Sequence, residues 1–297
     1  MSSFWSVILL EFLITWQQHW NMDTKKLRSE IEHRLSAVDG DFAVVFEDLS
    51  GRYSLSMNAD EVFHAASTMK VGVLIEAYRR HDEGSLRLDD ALPIVNSFHS
   101  IVDGSPFQLD SADDGDPEFY RFIGKRVPIR ELLERMIVRS SNLATNLLIE
   151  HLRPEAIRAT AMQLGAKTFN LLRGVEDEKA FHAGRNNTTT AHDLQVLFKA
   201  IATKTAASPE SCEEMLGILA RQEFNEGIPR LLPENVRVAH KTGSINRVEH
   251  DAGIVILPDG RRYILVILSK NLASNIEGVT TIADISKIIF DAYTMGK

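Results

Sequence analysis

Near the start of the chain, residues 42–48 (FAVVFED) and 52–57 (RYSLSM) alternate or run with residues that favour extended backbone, on either side of Leu49-Ser50-Gly51. Short apolar runs interrupted by such a signal predict a β-hairpin. The pattern returns near the other end, where DAGIVIL (251–257) and RRYILVILS (261–269) flank Pro258-Asp259-Gly260. There Pro presets φ and Gly accepts φ > 0, as a tight turn needs. NVRVAHKTGS (235–244) supplies a further strand, and after Gly278 the apolar residues Ile282, Ile285, Ile288 and Ile289 recur at helical spacing. Between these ends the period is helical throughout, in segments 68–80, 129–138, 142–152, 154–165, 189–201 and 209–221, and MDTKKLRSEIEHRL from Met22 is amphipathic as well. The order predicts an α/β (α+β) protein: an antiparallel sheet assembled from distant segments, flanked by terminal helices, with an all-α lobe inserted. The α/β lobe is expected over 23–65 and 231–297 and the α lobe over 66–230, with the site in the cleft between them.

Three short patterns fall where that cleft would be. Ser67-Thr68-Met69-Lys70 opens an apolar helical run. Residues three apart share a helix face, which sets the Lys70 amine beside the Ser67 hydroxyl, and an amine lowered in pKa by burial can take a hydroxyl proton. A surface helix opened by a Ser N-cap has the same letters. Ser140-Ser141-Asn142 joins two amphipathic segments. Its short polar side chains suit proton relay at Ser140 and amide binding at Asn142, and equally suit a capped helix corner. Lys241-Thr242-Gly243-Ser244 ends the predicted strand before the last hairpin. It offers a cation, a hydroxyl, a residue that admits close approach and an N–H for a developing oxyanion; alone it is also a strand ending in a turn.

Composition narrows the remaining classes. A chain of 297 residues, 44% hydrophobic, is long enough for an independently folded enzyme. Its net charge of −8 lacks the clustered Lys and Arg that a nucleic-acid partner requires. Cys212 is the single cysteine and the ten histidines show neither HExxH nor HxH spacing, so no disulfide, metal or other cofactor is expected. Residues 1–22 contain an apolar run over 4–16 broken by Glu11, with no charged start and no small-residue cleavage site. That is too short for a membrane span and unlike a signal peptide, so it reads as a mis-assigned start ahead of Met22 or as an interfacial extension.

The conjunction of the three patterns, in the order helix start, helix corner, strand edge, resembles the class A β-lactamases and penicillin-binding proteins, over roughly residues 23–297. The resemblance implies a five-stranded sheet and a serine hydrolase forming an acyl-enzyme on Ser67. Lys70 would be the proton acceptor and Ser140 the donor to the leaving nitrogen. The N–H groups of Ser67 and Ser244 would receive the oxyanion, and Lys241, Thr242 and Ser244, with Asn142 and Gly243, would bind substrate. It further implies a β-lactam or peptidoglycan-like small molecule as substrate, no cofactor, a monomer, and action outside the cytoplasm, although no export signal is legible.

The chain departs from the family after Arg173. The stretch Arg173-Gly174-Val175-Glu176-Asp177-Glu178-Lys179-Ala180 carries an acid one position later than the family's, Ala180 stands where its Asn would, and Asn186-Asn187 replaces the Asp that closes the loop on Arg173. Glu176 is the candidate base for releasing the acyl-enzyme, with Glu178 second; a merely solvated acidic loop has the same composition. Without such a base the acyl-enzyme would persist, as expected of a D-alanyl-D-alanine peptidase; a non-catalytic penicillin-binding sensor is the alternative of another class. Arg247 reads as a surface residue. The acidic stretch 103–120 reads as a long loop whose Phe107 lines the cleft mouth.

Overall fold

The computed structural model describes residues 22–295; the apolar run at 4–16, and with it the reading of the N-terminal extension, lies outside them. Helix α1 (Thr24–Leu35) is opened by Asp23, whose carboxylate accepts the N–H groups of Lys25 and Lys26 at 3.0 Å. Strands β1 (Asp41–Asp48) and β2 (Ser54–Met57) form the first hairpin. Pairs of very short strands follow within the helical region: β3 (Phe63–His64) with β8 (Thr188–Thr189), β4 (Ala91–Pro93) with β7 (Arg126–Pro128), and β5 (Phe98–His99) with β6 (Pro106–Phe107). The helices are α2 (Lys70–Asp82), α3 (Ile129–Val138), α4 (Asn142–Leu152), α5 (Pro154–Leu164), α6 (Glu178–His182), α7 (Ala191–Ala202) and α8 (Pro209–Leu219). Strands β9 (Arg237–Ile245), β10 (Val248–Ile256) and β11 (Arg262–Lys270) precede the terminal helix α9 (Asn275–Met295).

The main sheet has five strands in the order β2-β1-β11-β10-β9, all antiparallel. Its centre joins the two ends of the chain, with Asp41 opposite Lys270 and Asp48 opposite Tyr263. Both faces are covered, which is why these strands read as continuous apolar runs rather than strict alternations. Phe42, Val44, Phe46, Leu265 and Ile267 share one core with Leu27, Ile31, Ile282, Ile285 and Ile289 of the terminal helices. Ala43, Val45, Ile264, Val266 and Leu268 point the other way, into a core with Leu194, Leu197 and Phe198 of α7. Residues Lys70 to Tyr78 of α2 are all buried, as expected for a helix running through the middle of a lobe.

His250 ties this sheet to the segment that carries Ser67. His250 is 2% exposed; its Nε2 lies 2.8 Å from the His64 carbonyl, and its Nδ1 lies 2.8 Å from the Glu249 carbonyl and 3.1 Å from the Ser269 N–H. Burial holds its pKa down at about 4. The unfolded chain therefore takes up a proton near pH 6.5 that the folded one refuses until about pH 4, and stability that is complete above the upper value is lost as pH falls. The linkage amounts to about 3 kcal/mol across that window. The melting temperature is expected to drop steeply between roughly pH 6.5 and 4, and the drop should be shallower in His250→Gln. Parallel curves would show that His250 contributes nothing to acid lability.

Candidate active site

Ser67 lies not in an α-helix but in a 3₁₀ turn, Ala66–Met69, that runs directly into α2. In a 3₁₀ turn residues i and i+3 eclipse, so Ser67 and Lys70 still share a side. The Lys70 amine, fully buried, nevertheless makes its hydrogen bonds elsewhere: to the Ser140 carbonyl at 2.7 Å, the Ser140 Oγ at 3.1 Å and the Asn142 Oδ1 at 3.1 Å. The sequence pairs the amine with the Ser67 hydroxyl, whereas in the folded chain it turns toward the corner serine. Burial takes its pKa down to about 7, against the opposing pull of the Asp114 and Glu176 carboxylates. An amine so placed is partly neutral at neutral pH, the condition for a proton acceptor.

The corner between α3 and α4 serves both readings of its letters. Ser141 is the N-cap of α4, its side chain accepting the Ala144 N–H at 3.3 Å, while Ser140 and Asn142 on either side of it face the cleft. Ser140 has φ 56°, which turns its carbonyl and hydroxyl toward the same amine. From the opposite wall Lys241 also reaches Ser140 Oγ, at 3.1 Å, and the Thr242 carbonyl, at 3.0 Å. Burial and the neighbouring Lys70 charge lower the Lys241 pKa well below the usual lysine value, with Asp251 opposing them.

Lys241-Thr242-Gly243-Ser244 lies within β9 rather than at its end, because the strand continues to Ile245 and pairs with β10 along its whole length. Gly243 lets the two segments approach closely: a Cβ there would sit a tight 3.1 Å from the Ser67 amide nitrogen. This contact sets Ser67 and Ser244 side by side at one end of the cleft. The Ser244 hydroxyl, however, donates to Glu249 Oε1 at 2.7 Å, across the β9–β10 pair, so its one proton is committed away from any substrate carboxylate.

The 173–187 loop closes on Arg173 without an ion pair, and the pair it does form, Lys179 with Asp103 at 2.8 Å, points outward. Arg173, 6% exposed, donates to the carbonyls of Arg185 and Gly174 and to Asn186 Oδ1, and burial lowers its pKa. Asn187 accepts the N–H groups of Leu172 and Arg173 on one side of its amide and donates to the Arg173 carbonyl from the other. The asparagine pair thus replaces a charge contact with neutral bonds. Asn146 anchors the start of the loop, its amide accepting the Val175 N–H at 2.7 Å and donating to the Val175 carbonyl at 3.0 Å. Asn146 is missed in the sequence, although it stands one helical turn after Asn142, where a same-face partner is expected.

Both loop acids line the cavity beside Ser67, but only Glu176 is held there by hydrogen bonds. Glu176, at φ 61°, accepts the Asn142 Nδ2 at 2.7 Å and the Asp110 N–H at 3.3 Å. Burial raises its pKa, and the hydrogen bonds from Asn142 and Asp110 work against that rise. Glu178 is exposed in the first turn of α6, a helix capped by Asp177. Ala180 is buried in that helix. Ser67, Asn142, Glu176 and Ser244 border a cavity of about 380 Å³, whose outer wall includes His64 and Phe181.

Two peripheral expectations resolve differently. Arg247 is exposed, with its guanidinium turned onto the carbonyls of Leu272 and Asn271, as a surface residue would be. Phe107 is not at the cleft mouth: it stacks on Phe98 at 5.9 Å and lines a separate cavity behind the 173–187 loop. The acidic stretch around it is not structureless either, since it contains β6 and a 3₁₀ turn at Pro117–Phe122. Phe224, which no sequence signal marks, borders the cleft beside Ser140 and Thr242.

The comparisons with known proteins agree with this geometry. Residues 26–293 match the model of the β-lactamase enzyme family. A β-lactamase of Bacteroides uniformis is 27% identical over 243 residues, covering 77% of this chain and 79% of the relative. The crystal structure of a β-lactamase from Sphaerobacter thermophilus superposes with a TM-score of 0.77 at 27% identity, over 92% of this chain and 98% of that one. A mutant of PBP-A, in acyl-enzyme complex with penicillin-G, superposes equally well, with a TM-score of 0.77 at 27% identity over 91% of this chain and 97% of that one. A family match that spans nearly the whole described chain, joined to a cleft in which the serine, both lysines and the corner residues meet, makes this protein a member of the β-lactamase enzyme family.

Proposed function

We propose that the protein hydrolyses β-lactams through an acyl-enzyme on Ser67. Lys70 takes the hydroxyl proton as Ser67 attacks the lactam carbonyl. The N–H groups of Ser67 and Ser244, flanking the Gly243 contact, receive the oxyanion, each donor typically worth ~2.7–4 kcal/mol. As the carbon–nitrogen bond breaks, Ser140 passes its proton to the leaving nitrogen and is refilled from an amine; Lys70 and Lys241 both reach its Oγ at 3.1 Å. Lys241 and Thr242 receive the substrate carboxylate. Glu176 then removes a proton from water, which attacks the ester; as the ester carbon–oxygen bond breaks, a proton returns to the Ser67 oxygen through the cleft, Glu176 is left ionised again, and the ring-opened acid is the product.

The observation that carries this reading is the side chain of Asn142. Its Oδ1 accepts from the Lys70 amine at 3.1 Å while its Nδ2 donates to Glu176 at 2.7 Å. One amide therefore holds the base for acylation and the base for deacylation around one serine.

A second reading, a D-alanyl-D-alanine peptidase, uses the same serine apparatus without fast release. It is favoured by Ala180, which offers no amide to a water beside Glu176, and by the likeness to PBP-A. Intact-mass spectrometry during exposure to a penicillin separates the two. Substrate loss with a transient adduct on Ser67 supports the β-lactamase. A lasting adduct supports the peptidase, and Ser67 inert to every activated acyl probe would leave only a penicillin-binding sensor.

A further inference from the structure

The acidic stretch that the chemistry above leaves unused lies directly beneath the Ser140 corner. Ser140 is held at φ 56°, a left-handed conformation that costs a non-glycine residue on the order of 1 kcal/mol or more, so something outside the corner must maintain it. Asp114, 6% exposed, accepts the N–H groups of Asn142 and Leu143 on Oδ2, both at 2.9 Å. The same oxygen accepts the Tyr120 hydroxyl at 3.1 Å, and Oδ1 accepts the Asp116 N–H at 2.8 Å. The next residue, Gly115, lies so close under the corner that a Cβ would sit 2.1 Å from the Arg139 carbonyl oxygen. Asp116, 1% exposed, secures the segment by pairing with Arg135 at 2.7 Å and Arg139 at 3.3 Å. A carboxylate taking four donors from three directions fixes the backbone on which it sits and the backbone it grips.

We propose that Asp114 is a positioning residue for acyl transfer: it fixes the corner on which Ser140 and Asn142 meet Lys70, and it supplies buried negative charge to a cleft that contains two amines. The proposal rests on the reading of Lys70 as proton acceptor for Ser67. Facing Lys70 are Ser140 and Asn142 from the corner, Lys241 from β9, Glu176 from the 173–187 loop and Asp114 from below. Burial lowers the Lys70 pKa, while Asp114 and Glu176 hold it up. Without the Asp114 charge the neutral amine persists to lower pH, and the acid limb of kcat/KM moves down.

The test is the pH profile of kcat/KM with a chromogenic cephalosporin for the wild type, Asp114→Asn, Asp114→Glu, Asp116→Asn and Lys70→Ala, alongside their melting temperatures. Asp114→Asn is expected to lower kcat/KM roughly 10- to 100-fold and to shift the acid limb down by about 0.5–1 pH unit. Asp116→Asn removes only contacts to Arg135 and Arg139, so it should lower the melting temperature and leave the limb in place. Asp114→Glu keeps the charge and misplaces the oxygens, and should lose rate with the limb unmoved; this variant carries the test if Asp114→Asn does not fold. Wild-type rates in Asp114→Glu, or equal limb shifts in Asp114→Asn and Asp116→Asn, would reduce Asp114 to ordinary scaffolding. An acid limb that disappears in Lys70→Ala but stays put in Asp114→Asn overturns this proposal alone. A limb that survives in Lys70→Ala overturns the reading of Lys70 and this proposal with it.

Discussion

Replacing Lys70 by alanine is expected to lower kcat/KM toward a β-lactam by roughly 10³- to 10⁴-fold, the upper range for removing a positioned general base. The amine is the hub of the cleft, bonded to Ser140 through both carbonyl and hydroxyl and to Asn142 through its amide oxygen. Its loss removes the proton acceptor and also one of the two amines that keep Ser140 in place for proton delivery. Stability is a poor readout of the same change, because two effects oppose each other. Unbonded acceptors at Ser140 and Asn142 cost on the order of 1–3 kcal/mol each, while one of two buried, mutually disfavouring amines is removed. Single-turnover acylation followed by rapid mixing is the right measurement. With the wild-type amine at about pKa 7, the acylation rate should climb as pH rises through neutrality, and that climb should be absent from the alanine variant. A rate within a few-fold of wild type would remove Lys70 from the mechanism.

Glu176→Gln is expected to trap the acyl-enzyme, with release slowed roughly 10²- to 10⁴-fold. Glutamine keeps an oxygen for the Asn142 amide, so the wall of the cleft should persist while its basicity is lost. Acylation continues, hence kcat falls much more than kcat/KM and KM falls with it. Intact mass should show the protein plus one whole β-lactam for as long as the acyl-enzyme survives. Because burial holds the Glu176 pKa above the usual carboxylate value, wild-type release should weaken on the acid side sooner than for an exposed glutamate. If Glu176→Gln releases product at the wild-type rate, a water-activating role for Glu176 is excluded, and the exposed Glu178 is the next acid to test.

Much of the fold was legible because strand and helix periods are local. The hairpins at 42–57 and 251–269 and the helices of the middle segment fall where the apolar spacing puts them. The short ladders were not legible, since pairs such as Phe63 with Thr189 join two-residue strands too brief to carry a period. Strand β9 also runs past the expected turn, because its partner β10 offers backbone bonds as far as Val248, and pairing rather than propensity sets the end.

In the cleft the division is sharper. Residue types and spacing by themselves determined which groups are present: a serine three before a lysine, a serine two before an asparagine, a lysine before a glycine, and a loop acid after Arg173. They also determined that the loop could not close by an Arg to Asp pair. The tertiary structure alone decided where each hydrogen bond goes. Lys70 turns to Ser140, Ser244 gives its proton to Glu249, Arg173 is satisfied by carbonyls and Asn186, and Asp114 reaches the first N–H groups of α4 from 28 residues away. The physical reason is that chemical identity is a property of one residue. Orientation and protonation instead depend on burial and on partners brought together from distant parts of the chain, and no local pattern records either.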